Sequence, residues 1–174
     1  SQMIRKMRDV FFQTTGISAC PCEISIEGDV PLAKGLGSSV TVRAGILAGL
    51  NVLFSEPLNK ERMIEIVSDV EGHPDNASSA ILGGFCVARS CPDSGRYLDT
   101  ARFAVDDKLK MVVVSPDAEI LTDDSRRALP HQIPFNEVVK SVNSLAYVVS
   151  AFASGDYTKL RGSVSDFIHQ PYRE

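Results

Sequence analysis

A glycine-rich turn, Pro31 to Thr41 (PLAKGLGSSVT), runs straight into a stretch whose apolar residues Val40, Ala44, Leu47, Leu50 and Phe54 recur at helical spacing. The pattern predicts a loop that delivers its serines to the start of a helix. A helix start carries unpaired backbone N–H groups and the positive pole of the helix dipole, and glycines let an anion approach that backbone closely. Phosphate is the natural guest. Ser38 and Ser39 add hydroxyls suited to a phosphate oxygen or Mg²⁺, and Lys34 adds a positive charge. A structural loop with a serine as helix N-cap fits the same residues.

Two better-known phosphate loops do not fit. A Walker A motif places its Lys after the second glycine, whereas Lys34 precedes both Gly35 and Gly37. Val40 stands where a dinucleotide fingerprint has its third glycine. The preceding Glu23 to Glu27 (EISIE) alternates polar and apolar, as a half-exposed antiparallel strand does, whereas the strand of a dinucleotide fold is apolar throughout.

At 174 residues, 44% hydrophobic and 23% charged, the chain can bury a core and fits one domain or two small ones. A net charge of −4 argues against a nucleic-acid footprint, so anion binding must come from local geometry. No apolar run is long enough to span a bilayer and no signal peptide opens the sequence, which reads as cytoplasmic. Cys20, Cys22, Cys86 and Cys91 match no zinc spacing and read as reduced structural thiols.

Along the chain, residues 2 to 14 form an amphipathic helix stopped by Gly16, and Gly28 and Asp29 turn the chain toward the glycine loop. The helix after that loop is rich in Ala and Gly, which predicts a central, buried element with close backbone packing. Asn59 caps a helix over 60 to 71, with Leu58 and Met63 as a hydrophobic staple and Met63, Ile66, Val67 and Val70 as its stripe. Glu65 lies off that stripe beside Arg62 and Asp69, where a solvated carboxylate is expected. His73 to Asn76 (HPDN) opens a short helix, as a cap or as a pocket lining. Phe85 to Arg89 and Tyr97 to Val105 read as a hairpin. Asp106 to Lys108 is the expected boundary between a domain of residues 1–107 and one of residues 108–174. Lys110 to Ser115 is expected as a buried strand, Thr122 as the cap of a helix carrying Arg126 and Arg127, and 135 to 153 as a long helix followed by a shorter one from Tyr157.

The longer pattern P-x-x-x-G-L-G-S-S, met by Pro31, Gly35, Leu36, Gly37, Ser38 and Ser39, resembles the phosphate-binding motif of the GHMP small-molecule kinases. Glu71 to Phe85 (EGHPDNASSAILGGF) is similar to the segment that sets homoserine kinases apart within them. The resemblance implies an α+β, two-domain fold, with an N-terminal domain related to ribosomal protein S5 that contains a left-handed βαβ crossover and a ferredoxin-like C-terminal domain. Composition would not predict that handedness, since right-handed crossovers are the strong default.

It also implies site residues. Pro31, Leu32, Ala33, Lys34, Gly35, Leu36, Gly37, Ser38 and Ser39 would bind ATP, with Lys34 and Asn76 as the catalytic candidates. Glu65 would hold Mg²⁺ with Ser39, or with Ser38 if the serine roles are exchanged. His73 and Asp75 would contact the amino acid, and Asn76 would lie near the hydroxyl to be phosphorylated. Thr122 and Arg126, in a T-x-x-x-R arrangement, and Arg173, in Q-P-Y-R, would bind its carboxylate, a task suited to arginine's planar fork. Ser79 stands where the family usually has Pro, a departure that bears on the helix more than on the chemistry.

The implied reaction transfers the γ-phosphoryl group of ATP to the side-chain hydroxyl of L-homoserine, in threonine biosynthesis, with no general base assigned. A kinase for another small hydroxylated metabolite and a non-catalytic module of the same fold stay open, as does a homodimer. GHMP enzymes also carry an N-terminal strand segment and a C-terminal glycine-rich stretch that do not appear here, so the resemblance further implies a partial chain, incomplete at both ends.

Overall fold

The computed structural model describes residues 2–32, 34–114 and 128–173. Contacts divide the chain into two compact units, Ser1–Leu32 with Leu36–Arg102, and Ala33–Gly35 with Phe103–Glu174.

The first unit is built on three helices, α1 (Gln2–Thr15), α2 (Ser38–Leu53) and α3 (Lys60–Glu71), followed by a shorter α4 (Asp75–Leu82). The α1 stripe buries Met7, Phe11 and Phe12, and the chain leaves the helix through the left-handed Gly16. Phe11 and Phe12 meet Phe54, just beyond α2, at ring-centroid distances of 5.7 and 5.3 Å. That aromatic trio ties α1 to the far end of α2. From α2 come Val40, Ala44, Ile46, Leu47 and Leu50, and from α3 Met63, Ile64, Ile66 and Val67, all in one core.

Local signals account for the ends of α3. The Asn59 side chain accepts the Arg62 N–H at 2.8 Å, and Leu58 and Met63 are both buried as the staple requires. Gly72 closes the helix at φ 86°, a conformation that costs a residue with a Cβ but not glycine, and its N–H bonds Ser68 O at 2.7 Å.

Asn51 has no apolar function in α2, yet it is buried. Its Nδ2 donates to Leu58 O at 2.9 Å and its Oδ1 accepts the Leu58 N–H at 2.9 Å, so a single side chain satisfies both peptide groups of the buried Leu58. Asn51→Ala should therefore destabilise the protein by about 2–4 kcal/mol, because two buried backbone groups lose their partners together. Chemical denaturation measures this, and a loss below about 0.5 kcal/mol would show that water replaces the amide without cost.

After α4, the hairpin forms from β1 (Phe85–Ser90) and β2 (Tyr97–Phe103). Ser78 Oγ and Thr100 Oγ1 lie 2.8 Å apart, and Arg102 Nε donates to Leu82 O and Gly83 O at 2.9 Å each, fastening α4 to β2. Ser79 Oγ donates to Asn76 O one turn back in α4 at 3.1 Å.

The second unit holds α5 (Phe135–Ser154), a 3₁₀ turn (Tyr157–Leu160) and a closing turn of helix, α6 (Gln170–Arg173). Ser141 Oγ accepts the Phe167 N–H at 3.0 Å, and Lys140 Nζ lies 5.1 Å from the Phe167 ring centroid. Tyr157 packs edge-on against Phe152, and its hydroxyl accepts the Asp106 N–H.

Three expectations are corrected. Glu23 to Glu27 forms no strand, and neither do residues 110 to 114. A β pattern becomes a strand only where a neighbouring strand supplies its hydrogen bonds, and among the described residues β1 and β2 pair only with each other. The run expected to be buried is instead exposed, with Met111, Val112 and Val114 more than four-fifths accessible. For the same reason α2 is buried on one side only. Gly45, Gly49 and Leu53 are exposed on the side that faces the unpaired segment.

Candidate functional site

The glycine loop ends in a left-handed Gly37 (φ 72°) that serves as the N-cap of α2, and Gly35 is also left-handed at φ 73°. Among the described residues no side chain caps this helix. The first intrahelical backbone bond from this end runs from Thr41 N–H to Gly37 O at 2.9 Å, which leaves the N–H groups of Ser38, Ser39 and Val40 pointing out of the helix start. The serine N-cap that the sequence allowed is replaced by glycine.

A Cβ built on Gly37 would lie 3.9 Å from Asn76 Cγ. The turn that can hold an anion and the HPDN segment, distant in sequence, therefore adjoin in space. Within HPDN, His73 Nδ1 lies 2.5 Å from Asp75 Oδ1, and that same oxygen accepts the Asn76 N–H at 2.8 Å. An Nδ1 proton directed at the carboxylate leaves Nε2 as the free acceptor of the imidazole. Asp75 thus orders both its neighbours while its own side chain stays 73% accessible, open to a ligand.

Beside the loop lies an apolar groove of about 790 Å³, between residues 22–32 and the glycine face of α2. Its walls include Ile24, Ile26, Gly45 and Gly49, and Ser38 and Thr41 stand at its loop end. The size suits a small molecule, and besides Ser38 and Thr41 the polar groups Glu23, Ser25 and Glu27 line it along the 22–32 wall.

The two metal candidates have different neighbours. Glu65 pairs with Arg62 through Oε2 and faces Arg96 Nη2 through Oε1 at 3.4 Å. Ser39 Oγ donates instead to Glu71 Oε1 at 3.1 Å and accepts from Arg43, which is itself ion-paired with Glu71. Mg²⁺ needs oxygen ligands converging in near-octahedral geometry, so a carboxylate already shared by two guanidinium groups and a hydroxyl bound elsewhere do not fit it as they stand. Among the described residues, no group of three or more His, Cys, Asp or Glu could hold a metal. Burial pushes the Arg43 pKa below the usual guanidinium value.

Lys34 is half-buried and belongs, with Ala33 and Gly35, to the second unit. Thr122 and Arg126 lie outside the described residues, and Arg173 ends α6. Arg43 and Glu71 are the site-adjacent residues that the sequence reading missed. A signal existed, since Arg43 stands one helical turn after Ser39 and Glu71 immediately precedes the glycine cap of α3.

Residues 2–84, which contain the loop, α2, α3 and HPDN, match the family of GHMP kinases N terminal domain. The match spans a little under half of the chain. Over longer spans the chain is similar to the homoserine kinase of Carboxydothermus hydrogenoformans, at 35% identity over 93% of this chain and 52% of the relative. It is equally similar to that of Clostridium beijerinckii, at 35% identity over 98% of this chain and 57% of the relative. Among solved structures, the fold resembles a homoserine kinase from Cytophaga hutchinsonii, with a TM-score of 0.78 and 22% identity over 98% of this chain and 55% of that one. A putative homoserine kinase from Listeria monocytogenes superposes with a TM-score of 0.67 at 25% identity, over 88% of this chain and 52% of that one. The chain thus spans about half the length of the relatives it matches. The structure that carries these matches mixes α-helices with a β-hairpin.

Proposed function

We propose that this protein is an ATP-dependent homoserine kinase, moving the γ-phosphoryl group of ATP to the side-chain hydroxyl of L-homoserine in threonine biosynthesis, in the cytoplasm. The observation that carries the reading is the juxtaposition of Gly37 and Asn76, which sets a helix start able to hold phosphate against the segment that resembles the acceptor site. In-line phosphoryl transfer asks mainly for positioning and charge neutralisation, and two adjoining half-sites supply positioning.

In this reading residues 1–107 bind the nucleotide and residues 108–174 begin a second, ferredoxin-like domain. The N–H groups at the start of α2 hold phosphate oxygens, Lys34 adds positive charge, and the apolar groove takes the adenosine end. His73 and Asp75 orient the amino acid, Asn76 lies by its hydroxyl, and Thr122, Arg126 and Arg173 bind its carboxylate. Magnesium accompanying ATP would supply charge neutralisation, but Ser39 and Glu65 would have to exchange their present partners to hold it.

A coupled assay with ATP and a panel of hydroxylated acceptors tests the reaction. With the full-length protein, homoserine-dependent ADP release is expected, and turnover of a different acceptor alone, or of none, would overturn the assignment. Arg126→Leu and Arg173→Leu should each raise the KM for homoserine about ten- to a hundredfold, the loss of one charge-assisted contact, with ATP affinity nearly unchanged. Steady-state kinetics in both substrates checks this. Loss of ATP binding with homoserine binding intact would move the arginines to the other end of the site.

A further inference from the structure

Glu71 puts a carboxylate beside the first turn of α2, where the proposed function needs a phosphate. Glu65 and Glu71 are both on α3, but six residues separate them by about 9 Å along the axis and some 240° around it, so they serve different neighbourhoods. Only Glu71 reaches Ser39. Its side chain is 12% exposed and that of Arg43 19%, so solvent screens this pair little. An uncompensated anion there would occupy the positive pole of α2 and repel a second anion. Arg43 lies on α2 one turn from Ser39 and contacts both the serine hydroxyl and the carboxylate. Its Nε is buried and has no hydrogen-bond partner among the described residues, whereas its Nη1 meets both Ser39 and Glu71.

We propose that Arg43 is a positioning and charge-balancing residue: by pairing with Glu71 and Ser39 it keeps the start of α2 electrically open to the phosphates of a nucleotide. The inference rests on the phosphate-loop reading above and deepens it. With the Ser39 proton directed to Glu71 and an oxygen lone pair taken by Arg43, the hydroxyl has no proton left for an anion, and recognition of the anion falls to the backbone N–H groups.

The test is an equilibrium titration of ATP against the intact protein, carried out on Arg43→Met, Glu71→Gln and the double variant, with Gly37→Val as the reference for the loop. Arg43→Met should weaken ATP binding about tenfold, Glu71→Gln should not weaken it, and the double variant should return to within about threefold of the starting protein. A role in packing alone predicts no such recovery, because the double variant would stay as weak as Arg43→Met. That outcome overturns the proposal, as does an Arg43→Met protein that binds ATP normally while Gly37→Val does not. If Gly37→Val also binds ATP normally, the phosphate-loop reading itself has failed. Should Arg43→Met not fold, Glu71→Gln and the double variant still decide: each should bind ATP at least within threefold of the starting protein, and a tenfold loss in either refutes charge balance.

Discussion

Replacing Gly37 with valine is expected to lower ATP affinity at least about tenfold, and the structure shows where the effect arises. The built Cβ meets nothing closer than Asn76 Cγ at 3.9 Å, an ordinary contact, so a methyl group alone has room. The penalty comes from the backbone. At φ 72° a residue with a Cβ pays about 1–2 kcal/mol, and a β-branched side chain pays more because its χ1 is restricted as well. The loop relieves this by leaving the left-handed region, which moves the N–H groups of Ser38 and Ser39 away from a phosphate. Gly37→Ala should fall between the two, and the order Gly, Ala, Val in ATP titrations is the signature of backbone strain. Unchanged affinity in a folded Val variant would refute a phosphate role for this loop.

Phe11→Ala should cost about 3–5 kcal/mol of stability, the largest effect expected of a single side chain here. Phe11 is fully buried, and its ring stands 5.5 Å from Phe12 and 5.7 Å from Phe54, so its removal opens a cavity where α1 meets the end of α2. Neighbouring rings cannot fill that space without leaving their own edge-on contacts. Urea unfolding measures the loss, with an exposed change such as Glu27→Ala as the control, expected to stay within about 0.5 kcal/mol. A loss below 1 kcal/mol at Phe11 would mean that α1 does not pack as described.

Elements governed by local chemistry were legible in the sequence. The stripe of α1, the Asn59 cap and Gly72 stop of α3, and the hairpin of β1 and β2 all rest on interactions between residues close in the chain, where spacing and residue type carry the information. The glycine loop belongs with them, since its left-handed turns need only a residue without a Cβ. The alternation at Glu23 to Glu27 and the apolar run at 110 to 114 were equally visible and do not form strands. Their hydrogen bonds depend on a partner that the pattern does not name.

The candidate site divides along the same line. Motif residues Gly37, His73, Asp75 and Asn76 could be picked from the sequence, but not that Gly37 and Asn76 adjoin, nor that Ser39 meets Glu71 and Arg43 while Glu65 meets Arg62 and Arg96. Asn51, a polar residue in an apolar helix, likewise has a role that spacing does not show, since its side chain satisfies both peptide groups of Leu58. The sequence by itself determined where helices start and stop and which backbone positions must be glycine, because those choices are made within a few residues. Which carboxylate faces which serine was decided only by the packing of α2 against α3, because the rotation of one helix against another is set by the whole buried interface between them.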